Sequence, residues 1–448
     1  MIGALILSLS IFYNILMFSF LNKKNKKIPL DITNVTIIVN IIVYGIVLPL
    51  NYFLSINGYN SQLFLEKYNE ITASDIVIYY AVAAMSTATF IIILKLGKQI
   101  EINEGEAGQK NKTTIVGTQY RKLLFLGLAM LIIGIVSDYI YLKAYGGYSN
   151  YLGYSKLLRS GIMIVDNPFS FMMPFRNCTL LSSYIFGLIA KKRKIFPKIL
   201  LFLSVIFSFR ILYSNAGRLS MAIYIILLLV SIFYKEKTRA ITIRSVLKII
   251  SVLAITALFT ILLGVILKRN TDNSILTTLN TEISFPFLNL MVFRGGSDNT
   301  DYRLLFDALG FIIYILPSSI WSNKIGINTA SSVITAAWFG SAKGFNGITA
   351  EMPADFITIS YMQLGFMGSF ILPAIFALVY KILYKLSNKI TENKLKTFTK
   401  IYILINIGIS SIYYCDPYLI IQKSIPLLVF AALYISYEVI KKGVNKYD

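Results

Sequence analysis

The chain has 448 residues, 56% of them hydrophobic and only 14% charged, where soluble domains carry about 25% charged residues. Mean hydropathy is +0.68, and 43 Lys and Arg against 21 Asp and Glu leave a net charge of +22. This balance excludes a soluble globular domain and a disordered polar chain, and points to a protein of the bilayer.

Apolar runs of the roughly 17–25 residues that span a bilayer as helix recur along nearly the whole chain. In chain order they predict spans at 2–21, 32–54, 74–96, 121–142, 171–190, 198–214, 217–234, 247–267, 354–380, 401–416 and 424–440. The expected fold is therefore all-α, a polytopic membrane helical bundle of about 11 transmembrane helices with a large outer loop, forming a single integral membrane domain over 1–448. No positive residue precedes the first apolar run, and "KKNKK" (23–27) follows it, which suits an uncleaved first helix with its N-terminus outside. Cys178 and Cys415 both fall in apolar segments and read as small buried hydrophobes. Alternating sides from that start places 29 of the 43 Lys and Arg on one side. Basic flanks resist translocation, so that side is cytoplasmic. The excess charge then acts as a topological address and a contact with anionic lipid, with no nucleic-acid partner implied.

Two outward stretches are long, 143–170 and 268–353, and length in a loop points to function there. In the first, Tyr145, Tyr148, Tyr151 and Tyr154 recur every three residues. They read either as an interfacial aromatic belt or as a platform on which sugar rings stack, with Tyr148 and Tyr151 as the saccharide-binding pair. In the second, the apolar run 304–321 carries Asp307 early and Pro317 late. Spanning it would reverse every later loop, so a helix lying in the interface is expected.

"YSNAGRLSMAIY" (213–224) joins two spans by a tight turn that holds Arg218 at the outer boundary, with Arg210 and Arg176 near span ends on the same side. Each reads as a snorkelling residue or, for Arg218 just inside an apolar helix, as a planar fork for bidentate phosphate binding. "TAEMPADFITISYMQLGFMG" (349–368) places Glu351 and Asp355 at the mouth of an apolar helix, with Pro353 expected at its first turn and Gly365 and Gly368 further along it. These acids either complement the helix N-terminus or do chemistry.

With "NAGRLS", "LPSSIW" in the late outer loop and the acid-then-glycine run 349–368, the chain resembles the O-antigen polymerase (Wzy-type) family, the oligosaccharide repeat unit polymerases, within the wider group that includes O-antigen ligases. The resemblance covers most of the chain through short motifs. It implies glycosyl transfer between polyprenyl-diphosphate-linked oligosaccharides at the outer, periplasmic face of the bacterial inner membrane. Membrane lipids and a chain-length regulator protein are further implied partners. The alternatives are an O-antigen ligase, or a flippase or exporter of lipid-linked saccharide that does no chemistry. Related ligases use an outer-loop histidine, and this chain contains none.

On that likeness the departing diphosphate calls for positioned cations, for which Arg218, Arg294 and Arg303 are candidates with Arg210 behind them. The attacking sugar hydroxyl calls for a base. Glu351 is the first candidate and Asp355 the second, the latter expected to hold an arginine. Asp298 and Asp301 in "RGGSDNTDYR" (294–303) read as a solvated turn, and no metal or other cofactor is expected.

Overall fold

The computed structural model describes the chain except residues 23–27, 30, 97–115, 161–166, 191–194, 216–217, 234–239, 242–274, 296–301, 315–326 and 445–448. The described residues are almost entirely helical. Their one β pairing sets Ile28 and Pro29 against Ile241 and Ala240. Among the described residues seven helices are long and apolar enough to cross a membrane, which makes this a multi-pass membrane protein.

In chain order the helices are α1 (Ile2–Ser19), α2 (Ile32–Ile56, with a π turn at Val43–Val47), α3 (Gln62–Glu70), α4 (Ala73–Lys95), α5 (Val116–Lys143), α6 (Tyr148–Ser160), α7 (Cys178–Ile189), α8 (Ile195–Asn215) and α9 (Arg218–Phe233). They continue with α10 (Ile275–Ile283), α11 (Phe285–Gly295), α12 (Phe306–Ile313), α13 (Ala330–Phe339), α14 (Phe356–Leu364), α15 (Gly368–Ser387), α16 (Asn393–Tyr402, extended by a π turn to Ile409) and α17 (Pro417–Val444). Local signals start several of them. Asp31 accepts the Asn34 N–H at 2.7 Å to cap α2, Thr72 and Asp75 close a capping box on α4, and Thr329 caps α13. Helices α2 and α4 are central. By contrast α1 turns Ile11, Phe12, Ile15 and Phe18 outward, the surface that lipid tails cover.

Two polar layers mark the ends of the bundle. Near the start of α5, Lys122 is buried and pairs with Glu392 at 2.9 Å and with Glu438. Sixteen residues along the same helix, Asp138 accepts Arg176 Nε and Arg210 Nη2, each at 2.8 Å. Sixteen helical residues rise about 24 Å, close to the roughly 30 Å of a bilayer's hydrocarbon core. These layers are called the lysine end and the arginine end below. Lys381 donates to the carbonyls of Ile93, at 3.1 Å, and Leu96, so α4 and α15 both finish at the lysine end. Asp75, at the start of α4, therefore lies at the arginine end, where Arg294 holds it at 3.0 Å.

The single helix expected over 354–380 is instead a hairpin. Gly365 adopts φ +61° and stops α14, a conformation that favours glycine. The Phe356 ring lies 6.0 Å from that of Phe376, whereas twenty residues of continuous helix would separate them by about 30 Å. A Cβ on Gly368 would stand 2.3 Å from the Ser360 carbonyl oxygen, so glycine lets the two helices touch backbone to side. Helix α14 thus runs antiparallel to α15. Asp355 sits about 13 Å, nine helical residues, from the turn at 365–367. None of 340–351 is buried, and 352–355 all are. The chain descends into the bundle as an extended arm and climbs back as α14, a re-entrant element.

Other expected boundaries shift as well. The 143–170 loop contains α6, and 268–353 contains α10 to α13. The 171–190 span is α7 preceded by short turns at Ser170–Met172 and Met173–Arg176. Of the expected interfacial helix at 304–321, Phe306–Ile313 is helical and packs against α17, where Tyr314 and Ile421 share a small apolar cluster. Residues 315–321 and the 247–267 span lie outside the described residues. Helix α17 runs unbroken from Pro417, so the last expected span at 424–440 begins seven residues too late.

Candidate functional site

Most of the described charged groups that the sequence singled out fall in two clusters in and below the arginine end. The first surrounds the re-entrant arm. Asp355 caps α14, accepting the Thr358 N–H and Asn289 Nδ2, both at 3.0 Å. Asn289 also donates to the Pro353 carbonyl at 2.8 Å and accepts Trp338 Nε1 at 2.9 Å. The arm is tied further by Met352 N–H to Thr335 Oγ1 and by Cys415 N–H to the Ala354 carbonyl. Every buried backbone group of this non-helical stretch thereby needs, and several find, a partner within the protein.

Asp355 is wholly buried and, among the described residues, pairs with no arginine, where the sequence led us to expect one. Nor is Pro353 in the first helical turn: Asp355 is the cap itself, and Pro353 precedes it. Lying outside the spanning helices, its carboxyl is pushed up to about 6 by burial. Glu351 is exposed on the arm and makes no ion pair among the described residues.

Beside the arm, Asp416 accepts the Ser331 and Tyr418 N–H groups at 2.9 and 3.0 Å, and burial pushes its carboxyl to about 6 as well. Asp307 is fully buried and takes a two-point grip from Arg303, Nη2 to Oδ1 at 2.8 Å, plus Gln363 Nε2 at 2.8 Å. The Arg303 and Leu304 N–H groups donate to the Met362 and Gln363 carbonyls at 2.8 and 2.9 Å, closing the end of α14. Leu304 and Leu305 hold φ of 47° and 62° to do so, strain that the Asp307 grip sustains.

The second cluster is built by α5, the short turn Met173–Arg176 that leads into α7, and α8. Arg176, a fully buried residue that snorkelling alone does not describe, lies between Asp138 and the Tyr141 ring, its guanidinium 4.5 Å from the ring centre. Arg210 sits 4.3 Å over the Tyr148 ring while pairing with Asp138. Tyr151 is buried against Tyr141 and Tyr145, with ring centres 5.7 and 5.0 Å away, so its faces are covered by protein.

The candidates thus fall into pairs. Arg210 is oriented by Asp138, Arg294 by Asp75 and Arg303 by Asp307. The Arg218 side chain, Asp298 and Asp301 lie outside the described residues. Asp138, Asp307, Asp416 and Asn289 were not singled out as site residues. For Asp138 and Asp416 the signal was an acid at a span end, which does not say which helices will meet; Asp307 stood in the expected interfacial run and Asn289 in the outer loop, with no signal of its own. Among the described residues no group of three or more His, Cys, Asp or Glu is placed to hold a metal, and both cysteines are free and buried. Compared with known protein families, curated proteins and solved structures, the chain finds no match.

Proposed function

We propose that the chain is a membrane polysaccharide polymerase of the O-antigen polymerase type, joining polyprenyl-diphosphate-linked oligosaccharide repeat units at the outer face of the bacterial inner membrane. In this reading the bundle has about eleven spans, counting those outside the described residues, and the arginine end faces the periplasm. The observation that carries it is the pairing at that end: three guanidiniums oriented by carboxylates, and one carboxylate, Glu351, exposed on a non-helical arm and without an ion pair among the described residues.

Such an arrangement suits the reaction. Glu351 accepts the proton of an acceptor sugar hydroxyl, whose oxygen bonds to the donor's anomeric carbon. The bond from that carbon to the diphosphate breaks, and its electron pair leaves with the polyprenyl diphosphate. Arginines already held in place take up that charge without reorganisation. Arg210 and Tyr148 form one wall, and Arg294 and Arg303 belong to the cluster of the arm.

The test is reconstitution with a lipid-linked repeat unit. Wild-type protein should make dimers and longer chains, and Glu351→Gln should lose on the order of 10²–10⁴ in rate, leaving single repeats on the lipid. Full-length polymer from Glu351→Gln would remove Glu351 from the mechanism. Orientation is checked by reporter fusions, external at Asn150 and cytoplasmic at Lys394.

A lipid-linked saccharide carrier is the second reading, favoured by the re-entrant half-helix, a device that carriers use to build internal sites. Movement of intact repeats across the membrane without chain growth would select it.

A further inference from the structure

The cluster around Asp138 holds more positive charge than its carboxylate cancels. Arg176 Nε and Arg210 Nη2 each take one oxygen of Asp138 at 2.8 Å, and neither arginine pairs with a second acid among the described residues. Two guanidiniums against one carboxylate leave one positive charge over. The Tyr141 and Tyr148 rings lie against the guanidiniums and ease that charge without cancelling it. Donors are left over as well. Arg176 Nη2 reaches Ser214 Oγ at 3.4 Å, but Arg176 Nη1 and Arg210 Nε are buried and meet no acceptor. Surplus charge and spare N–H groups at a buried site are costly unless an anion answers them.

The surroundings select the kind of anion. Asp138 stands about 24 Å along α5 from Lys122, near the level where hydrocarbon gives way to head groups. Arg176 is closed off from the surface, whereas the Arg210 side chain is 33% exposed. On α8 the exposed side chains Ile199, Phe202, Ile206 and Tyr213 are linked through Arg210 by steps of three and four residues, so all five share one face. That face meets lipid chains. A free anion makes no use of such a stripe, and a lipid uses both the stripe and the charge. A phosphodiester carries a single negative charge, which matches the surplus, and its oxygens suit a guanidinium.

We infer that Asp138, Arg176 and Arg210 form a head-group site for an anionic phospholipid, its phosphodiester seated on Arg210 and its acyl chains lying along α8. Asp138 fixes both arginines, Arg176 supplies the surplus charge from behind, and Arg210 makes the contact. Snorkelling describes Arg210 alone and leaves the buried Arg176 without a reason. The site does not depend on whether the protein polymerises or carries its saccharide. A lipid diphosphate that reaches Arg210 competes with the phospholipid for it.

Native mass spectrometry of the full-length protein, released from nanodiscs of equal parts phosphatidylglycerol and phosphatidylcholine with matched chains, tests this. Wild-type protein should retain one phosphatidylglycerol in preference to phosphatidylcholine by about fivefold, the equivalent of roughly 1 kcal/mol for a basic residue at the membrane surface. Arg210→Gln leaves Arg176 and Asp138 in balance, so it should hold the two lipids equally while melting normally in phosphatidylcholine. Equal retention of both lipids by wild-type protein would overturn the inference, and that measurement needs no variant to fold. So would a phosphatidylglycerol preference that survives in Arg210→Gln. Inorganic phosphate that strips the retained lipid would overturn it too, because the acyl chains would then contribute nothing.

Discussion

Asp138, at the arginine end, and Asp355, about 13 Å inside the bundle at the start of α14, are both buried, and the fold treats them in opposite ways. Asp138 lies where α5 and α8 meet the short turn before α7 and is gripped by two guanidiniums at 2.8 Å. Asp355 lies where regular helix is abandoned and is met only by neutral donors. In the first region charge meets charge, so the cluster is a fixed point between α5, the turn before α7 and α8. In the second each carboxylate oxygen is met by a neutral N–H donor, and burial pushes the carboxyl up. Under the polymerase reading proposed above, the fixed arginines would hold the diphosphate and the arm would admit the acceptor.

The largest break in that comparison should come from Asp138→Ala. Removing the acid leaves Arg176 buried and unpaired, a change that costs roughly 3–5 kcal/mol. Detergent-solubilised protein should melt far lower, and replacing Arg176 by Met in the same chain should recover much of the loss. A wild-type melting curve for Asp138→Ala would mean that the cluster does not hold the helices together. Next in size is Gly368→Ala, whose Cβ must push the Ser360 carbonyl away at about 1–3 kcal/mol. This variant should loosen the hairpin specifically, seen as faster hydrogen exchange over 356–364 with α5 and α7 unchanged.

The smallest effect sharpens the contrast. At pH 8 Asp355→Asn keeps the cap and the shape, so it should cost no more than about 1 kcal/mol, several-fold less than Asp138→Ala. Its pH dependence should carry the signature of a raised carboxyl. Stability from protonation is fully present below the ordinary value of 3.8 and is lost as pH rises through about 6. Wild-type protein should therefore gain on Asp355→Asn as pH falls from about 6 toward about 4. A gap that instead closes with acid would mean that Asp355 is stabilised as the anion.

The amino-acid sequence by itself determined the class of this protein. Apolar runs of bilayer length have no soluble solution, and α1, α2, α4, α5 and α8 stand close to where periodicity and length put them. It also determined which side chains are costly to bury, because Asp138, Arg176, Arg210 and Asp307 are conspicuous in any apolar chain. Only the tertiary structure decided their partners. An ion pair such as Arg210 with Asp138 joins residues 72 apart in sequence, and hydropathy carries no information about which helix ends will meet. The hairpin was hidden for a related reason. After Asp355, "FITISYMQLGFMGSFILPA" is charge-free and largely apolar, so hydropathy reads one long span, although Gly365 and Gly368 were there to be seen. What turns those glycines into a reversal is the positive φ at the first, the close approach at the second, and the Phe90, Phe356 and Phe376 packing that covers the returning helix. A glycine permits such a turn, and only neighbouring helices make it the lower-energy path.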